Sequence, residues 1–161
     1  TLDCYFCVGL TEIFNELTEG YEPQEHVKNL FSALCKSTNF KNDEIVEISN
    51  TTINEHQNKS LEEIFNLVIE KSSKKLYYSR ILMLGIYKIL TKANDFKDNE
   101  DITKIKIISE LAEKLELPLT RAEKDISIYK TSIKRLSQAR ELLKETVLAD
   151  RKKREDKNKK N

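Results

Sequence analysis

The stretch from Thr120 to Ala149 contains neither proline nor glycine, and its apolar residues recur at alternating steps of three and four. One stripe consists of Ile126, Tyr129, Ile133, Leu136, Leu143 and Val147, with Arg140 in the single gap. This spacing predicts a long amphipathic helix with a heptad-like seam. About thirty helical residues extend over roughly 45 Å, which is longer than a small domain. We therefore expect part of this helix to project from the rest of the protein.

The remainder of the chain is also typical of a helical protein. Three glycines and two prolines in 161 residues are too few for a turn-rich β-sandwich or barrel. The length suits one domain. We predict an all-α fold: a single compact domain of six to seven helices with a long, partly projecting C-terminal amphipathic helix. The predicted division is a helical body at 1–119, the long helix at 120–149 and a basic, disordered tail at 150–161.

Apolar periodicity and capping residues place the individual helices. They are predicted at Leu2–Leu17, around the stripes Val27–Leu34 and Leu61–Val68, at Leu76–Thr91, and around Ile102–Leu115. In the first helix the predicted inner face is Phe6, Leu10, Ile13, Phe14 and Leu17. Residues 36–59 are polar and predict a loop with at most a short helix near 43–49. Capping boxes are predicted at Ser60 with Glu63 and at Thr120 with Glu123.

Gly9 and Gly85 lie in two similar segments, each a single glycine within an apolar helix. Glycine inside a helix costs about 1 kcal/mol relative to alanine, so its presence needs a reason. We predict a close helix crossing at these positions. The alternative is that a partner helix docks in the same groove.

The residue types needed for catalysis or metal binding are sparse. Cys4 and Cys7 have metal-ligand spacing but no second pair, and the other candidate ligands are Cys35, His26 and His56. We predict that the cysteines pack in the core of a protein from a reducing compartment, with redox chemistry or metal binding as alternatives. No phosphate-binding glycine loop or His-Glu-x-x-His motif is present. The sequence therefore predicts a non-enzyme without cofactor or metal.

Charge is concentrated at the C-terminal end. Residues 150–161 contain seven Lys or Arg against three acids, a net charge of +4, and the remaining residues therefore sum to −3 of the total +1. This segment suits a solvated tail, a contact with an acidic protein or a membrane surface, or nucleic acid. The longest apolar run, Ile81–Ile86, is far shorter than the roughly twenty residues that cross a bilayer. Arg80, beside this run, is predicted to form a structural ion pair or a partner contact.

Four segments resemble a known family. Ala149–Glu155 (Ala-Asp-Arg-Lys-Lys-Arg-Glu) is similar to the C-terminal signature of the thylakoid formation proteins, or photosystem II biogenesis factors, of cyanobacteria and plastids. Glu19–Pro23 resembles the family's Glu-Gly-Tyr-x-Pro turn, and Leu30–Cys35 resembles its next helix. Tyr78–Arg80, followed by Gly85, resembles its central helix. The segments occur in the family's order, and the family's chains begin with a further N-terminal stretch.

The resemblance implies a non-enzymatic factor for photosystem II biogenesis and repair and for thylakoid membrane organisation. It also implies a partnership with the FtsH-type membrane protease, at the cytoplasmic or stromal side of the thylakoid membrane. We expect a soluble to peripheral monomer, with a peripheral membrane contact as a further expectation. The alternative function is a nucleic-acid-associated helical protein that uses the basic tail. The predicted partner-binding residues are Arg140, Leu143, Val147, Arg151, Lys152, Lys153 and Arg154.

Overall fold

The computed structural model describes the backbone of residues 2–72 and 76–158 and the side chains of residues 2–72 and 76–155. These residues form seven helices and no strand, which confirms the all-α prediction. The helices are α1 (Cys4–Leu17), α2 (Gln24–Ser37), α3 (Asn42–His56), α4 (Leu61–Lys71), α5 (Arg80–Leu90), α6 (Asp101–Lys114) and α7 (Leu119–Asn158). The chain divides into two compact units after Ser127, within α7. The first two turns of α7 belong to the first unit because they bury Ala122, Asp125 and Ile126.

The core of the first unit is built on the crossing of α1 and α5. A Cβ added to Gly85 would lie 2.8 Å from the backbone nitrogen of Gly9, and one added to Gly9 would lie 3.0 Å from the nitrogen of Gly85. The carbonyl oxygens of Tyr5 and Ile81 would be closer still. The predicted close crossing at the two glycines is therefore confirmed. α5 is buried over most of its length.

The inner face of α1 differs from the predicted one. The buried residues are Tyr5, Cys7, Val8, Gly9 and Thr11, whereas Phe6, Leu10, Ile13 and Phe14 are half-buried. Leu17, at the end of the predicted face, is 56% exposed. The close crossing explains part of the difference, because backbones that nearly touch leave room only for a residue as small as Gly9 at the contact itself.

α3 occupies most of the segment that the sequence predicts to be loop. The helix runs for 15 residues and buries Ile45, Ser49, Thr52 and His56. These positions follow helical spacing, but three of the four are polar. Their polar groups are satisfied internally, as in the 2.6 Å hydrogen bond between the Ser49 and Thr11 hydroxyls. Apolar periodicity could not reveal a helix whose buried face is polar.

Capping sets the ends of α4 and α5. The predicted capping box of Ser60 and Glu63 is confirmed, with hydrogen bonds of 3.3 Å and 2.7 Å between side chain and backbone in both directions. α5 begins at Arg80 and not at Leu76, because the Ser79 side chain accepts a 3.0 Å hydrogen bond from the backbone N–H of Leu82. An N-cap residue has non-helical backbone, so residues 76–79 precede the helix.

α7 begins earlier and ends later than predicted. Pro118, and not Thr120, caps the first turn, since its carbonyl accepts hydrogen bonds of 3.1 Å and 3.0 Å from the N–H groups of Arg121 and Ala122. Thr120 is the second residue of the helix and not its N-cap, so the predicted capping box is wrong, and the Glu123 side chain instead accepts a hydrogen bond from the Ser109 hydroxyl. At the other end, residues 150–158 continue the helix where the sequence predicted a disordered tail. Lys, Arg and Glu favour helix when no Gly or Pro intervenes. Residues 159–161 lie outside the described residues.

Candidate interaction surface on the C-terminal helix

Five of the seven predicted contact residues share one face of α7. At 100° per residue, Arg140, Leu143, Val147, Arg151 and Arg154 fall within an arc of about 80°. We call these five residues the apolar–basic face. Leu143 is 66% exposed and Val147 is 50% exposed. Arg151 and Arg154 are exposed, and Arg140 is half-buried.

A second row of residues extends this face on one side. Leu148 is exposed, and with Lys144 it lies beside the row of Leu143, Val147 and Arg151. These five residues line a shallow groove of about 370 Å³. Leucine and valine side chains grouped on a surface and bordered by cations are typical of an interaction site for another molecule.

The other two predicted contact residues lie elsewhere on the helix surface. Lys152 and Lys153 are exposed. They lie about 140° and 120° from Val147, in opposite directions around the helix. The run of four basic residues therefore surrounds the helix, and two of its members belong to the apolar–basic face.

Arg80 belongs to a different cluster, in the first unit. Its Nε lies 3.0 Å from Oδ1 of Asp125, a carboxylate whose residue is 3% exposed. The Tyr78 hydroxyl donates a 2.7 Å hydrogen bond to the other oxygen, Oδ2. Burial, together with the hydrogen bond and charge of Asp125, raises the pKa of Tyr78. The Arg121 guanidinium lies 4.9 Å from the centroid of the Tyr78 ring, which is cation–π distance.

Asp125 is a residue that the sequence analysis did not single out. A signal was available, because Asp125 directly precedes Ile126 and lies four residues before Tyr129, both on the predicted apolar stripe. A carboxylate on such a face needs a partner when it is buried. The partners Tyr78 and Arg80 are 47 and 45 positions away in the chain, which no local pattern indicates.

The three cysteines and the buried histidine lie in surroundings that are typical of structural residues and not of catalytic ones. Burial raises the pKa of the Cys7 thiol to about 12 and also raises the pKa values of Cys4 and Cys35, so all three thiols are protonated and weakly nucleophilic near neutral pH. His56 is fully buried and contacts the Thr52 carbonyl and the Tyr5 hydroxyl, and His26 is exposed on α2. Within residues 2–72 and 76–155, no group of three His, Cys, Asp or Glu side chains forms a metal site.

The chain is similar to a known family of proteins. The family model described as thylakoid formation protein matches residues 1–75 and 69–158 of the chain. The chain belongs to the thylakoid formation protein family. This membership confirms the resemblance drawn from the four sequence segments. It makes the chain a thylakoid-associated protein of a family that is named for thylakoid formation and not for a catalysed reaction.

Two relatives support the assignment, and one solved structure shares the fold. A protein named Thf1 from Prochlorococcus marinus strain MIT 9312 is 52% identical over 151 residues, which are 94% of this chain and 75% of the relative. Another Thf1, from P. marinus subsp. pastoris strain MED4, is 53% identical over 150 residues, 93% of this chain and 74% of the relative. The structure of Psb29 covers 96% of this chain and 78% of that one, with a TM-score of 0.78 at 23% identity, and therefore shares the fold. Among the described helices, none is both long and apolar enough to pass through a bilayer.

Proposed function

We propose that the protein is a non-enzymatic factor for photosystem II biogenesis and repair and for thylakoid membrane organisation, and that it acts by binding an FtsH-type membrane protease. The observation that carries this proposal is the apolar–basic face of α7. Leu143 and Val147 are at least half exposed there, among Arg140, Arg151 and Arg154. Burying two aliphatic side chains against a partner stabilises the complex by about 25 cal/mol per Å² of apolar surface.

The charges of this face indicate what the partner presents. Its cations are Arg140, Arg151 and Arg154, and Lys144 borders it along the groove. Complementary charge steers association and suppresses wrong partners more than it adds affinity. The partner surface therefore combines an apolar strip for Leu143 and Val147 with carboxylates beside it.

The proposed location is the cytoplasmic or stromal side of the thylakoid membrane, where the protein is a soluble to peripheral monomer. The three cysteines support a reducing compartment because none of them is in a disulfide. A peripheral contact with anionic lipid would use the basic residues at the end of α7, each worth about 1 kcal/mol near a charged membrane surface.

The test is a pull-down from solubilised thylakoid membranes with charge-matched variants of the full chain. Arg151→Gln with Arg154→Gln removes two cations from the apolar–basic face. Lys152→Gln with Lys153→Gln removes two cations from outside it and serves as the control. We expect the first pair to weaken capture of protease subunits about ten-fold or more, a loss of roughly 1.4 kcal/mol, and the second pair to change it little.

Two further outcomes distinguish protease docking on the apolar–basic face from binding by total charge and from binding elsewhere on the chain. Equal losses in the two pairs would show that binding follows total charge, as for a membrane surface or nucleic acid, and would contradict the docking face. Leu143→Asp with Val147→Asp keeps the arginines but introduces charge where the partner needs an apolar strip. Undiminished capture by this variant, or by a chain ending at Ala139, would place protease binding elsewhere.

A further inference from the structure

A concave site of about 540 Å³ lies at the start of α7, in the first unit. Three basic side chains line it: Arg80 from the first turn of α5, and Arg121 and Lys124 from α7. The remaining lining includes Pro118, Leu119 and Thr120, whose side chains carry no charge. The site is open to solvent, because Arg80, Arg121 and Lys124 are all exposed.

The positive charge of this site is incompletely neutralised. Asp125 is the one acid among the described lining residues, so three cations and one carboxylate leave a net charge of +2. Both oxygens of Asp125 are already engaged, Oδ1 by Arg80 Nε at 3.0 Å and Oδ2 by the Tyr78 hydroxyl at 2.7 Å. Lys124 forms no ion pair with any described residue, and Arg121 is held over the ring of Tyr78.

Asp125 thus positions the arginine without occupying its outer edge. Binding through Nε leaves the two Nη groups of Arg80 available to an incoming anion. The Arg121 guanidinium lies over the Tyr78 ring, and this contact uses none of the N–H groups as a hydrogen-bond donor to an oxygen or nitrogen. The N–H groups of Leu119 and Thr120 add donors at the same place, because the first N–H groups of a helix lack an intrahelical acceptor.

We propose that this site binds a single phosphate or sulfate group carried by a small molecule. A tetrahedral oxyanion presents several acceptor oxygens at once, which suits a concave site lined by the cationic side chains of Arg80, Arg121 and Lys124. Arginine recognises such groups through paired N–H donors, whereas lysine acts as a point charge. The net +2 of the site matches the charge of a phosphate dianion. This site is separate from the apolar–basic face and does not depend on the proposed protease partnership.

The experiment titrates the full chain with inorganic phosphate and, separately, inorganic sulfate, and follows backbone amide and arginine side-chain NMR signals. Arg121→Gln with Lys124→Gln removes two exposed cations of the site. Lys36→Gln with Lys114→Gln removes two exposed lysines elsewhere and matches the change in net charge. We expect saturable binding at millimolar dissociation constants or tighter, with shifts confined to residues 119–125 and Arg80. Binding should weaken about ten-fold or more in the first variant and remain unchanged in the control.

Three results would overturn the proposal. These are shifts that never saturate, equal weakening in both variants, and shifts spread over all basic residues. A parallel arm uses vesicles of neutral lipid with and without phosphatidylglycerol. Association with the anionic vesicles, lost in the Arg121 and Lys124 variant but without saturable binding of either free ion, would assign the site to a membrane surface and contradict a small-molecule site.

Discussion

Gly9 and Gly85 face each other where α1 and α5 cross, and each occupies the space that a Cβ on the other would need. A Cβ on Gly85 would lie 2.8 Å from the Gly9 nitrogen, which is closer than real Cβ atoms approach. The ion pair Lys88–Glu16 also joins these two helices, and Lys92, just after the end of α5, pairs with Glu12 of α1 at 2.9 Å. The crossing of α1 and α5 therefore depends on the absence of a side chain at both positions.

Gly85→Ala should destabilise the protein. In an ordinary helix this change stabilises by about 1 kcal/mol, because alanine has the higher helix propensity. Here the new methyl group would meet the backbone of α1, which cannot move aside as a flexible side chain can. Overpacking typically costs about 1–3 kcal/mol, so we expect a lower free energy of unfolding in urea. An unchanged or raised free energy of unfolding would contradict the close crossing.

The glycine crossing shows what the sequence could reveal about the fold. A paired pattern, one glycine in each of two apolar helices, was enough to predict the contact. α3 shows the limit, because its buried face combines Ile45 with Ser49, Thr52 and His56. Such a face becomes recognisable only when the groups that satisfy it, Thr11 and Tyr5 on α1, are brought close by folding.

The two candidate sites also differ in how far the sequence alone predicts them. The apolar–basic face lies on one continuous helix, so residue spacing alone could group Leu143, Val147 and Arg151. Its role in partner binding remains a prediction. The Asp125 cluster joins side chains more than forty positions apart in the chain, and its geometry follows from packing that no local pattern encodes.

The Asp125 cluster should contribute to stability as a coupled unit. Tyr78→Phe removes the hydroxyl that donates to Oδ2 and leaves a buried carboxylate oxygen without this donor. We expect this change to cost about 1–3 kcal/mol. In the Asp125→Asn background, Tyr78→Phe should lower the free energy of unfolding by less. A neutral amide oxygen loses less than a carboxylate oxygen when its hydrogen-bond donor is removed. A double-mutant cycle on the free energy of unfolding measures the difference, and additive effects would contradict the coupling.

The cysteines should react slowly in the folded protein. With a pKa of about 12, Cys7 is thiolate in only about one molecule in ten thousand at pH 8, and both Cys7 and Cys35 are buried. We expect iodoacetamide to modify the half-buried Cys4 first and to reach Cys7 and Cys35 only on unfolding. Mass spectrometry of native and urea-unfolded samples tests this order. Rapid modification of Cys7 in the native sample would contradict its burial.

His56 should make stability dependent on pH in the mildly acidic range. Its Nδ1 lies 2.7 Å from the Thr52 carbonyl oxygen, which can only accept, so Nδ1 carries the proton. Nε2 therefore accepts from the Tyr5 hydroxyl at 3.4 Å, and the ring is neutral. Burial is the main cause that lowers the His56 pKa below its usual 6.5. Lys71 and Lys59 lower it further, and the Thr52 carbonyl and Glu55 partly oppose the shift.

The direction of the pH effect follows from this lowered pKa. As the pH falls below about 6.5, the unfolded chain binds a proton at His56 that the folded protein binds only at lower pH. The free energy of unfolding should therefore decrease from pH 6.5 down to the folded-state pKa, and the stability from this group should be fully present above pH 6.5. Urea unfolding from about pH 7.5 to pH 5 measures the slope. His56→Gln should reduce it, and His26→Gln, which removes an exposed imidazole from α2, is the matched control. Equal slopes in wild type and His56→Gln would show that the buried ring does not control acid sensitivity.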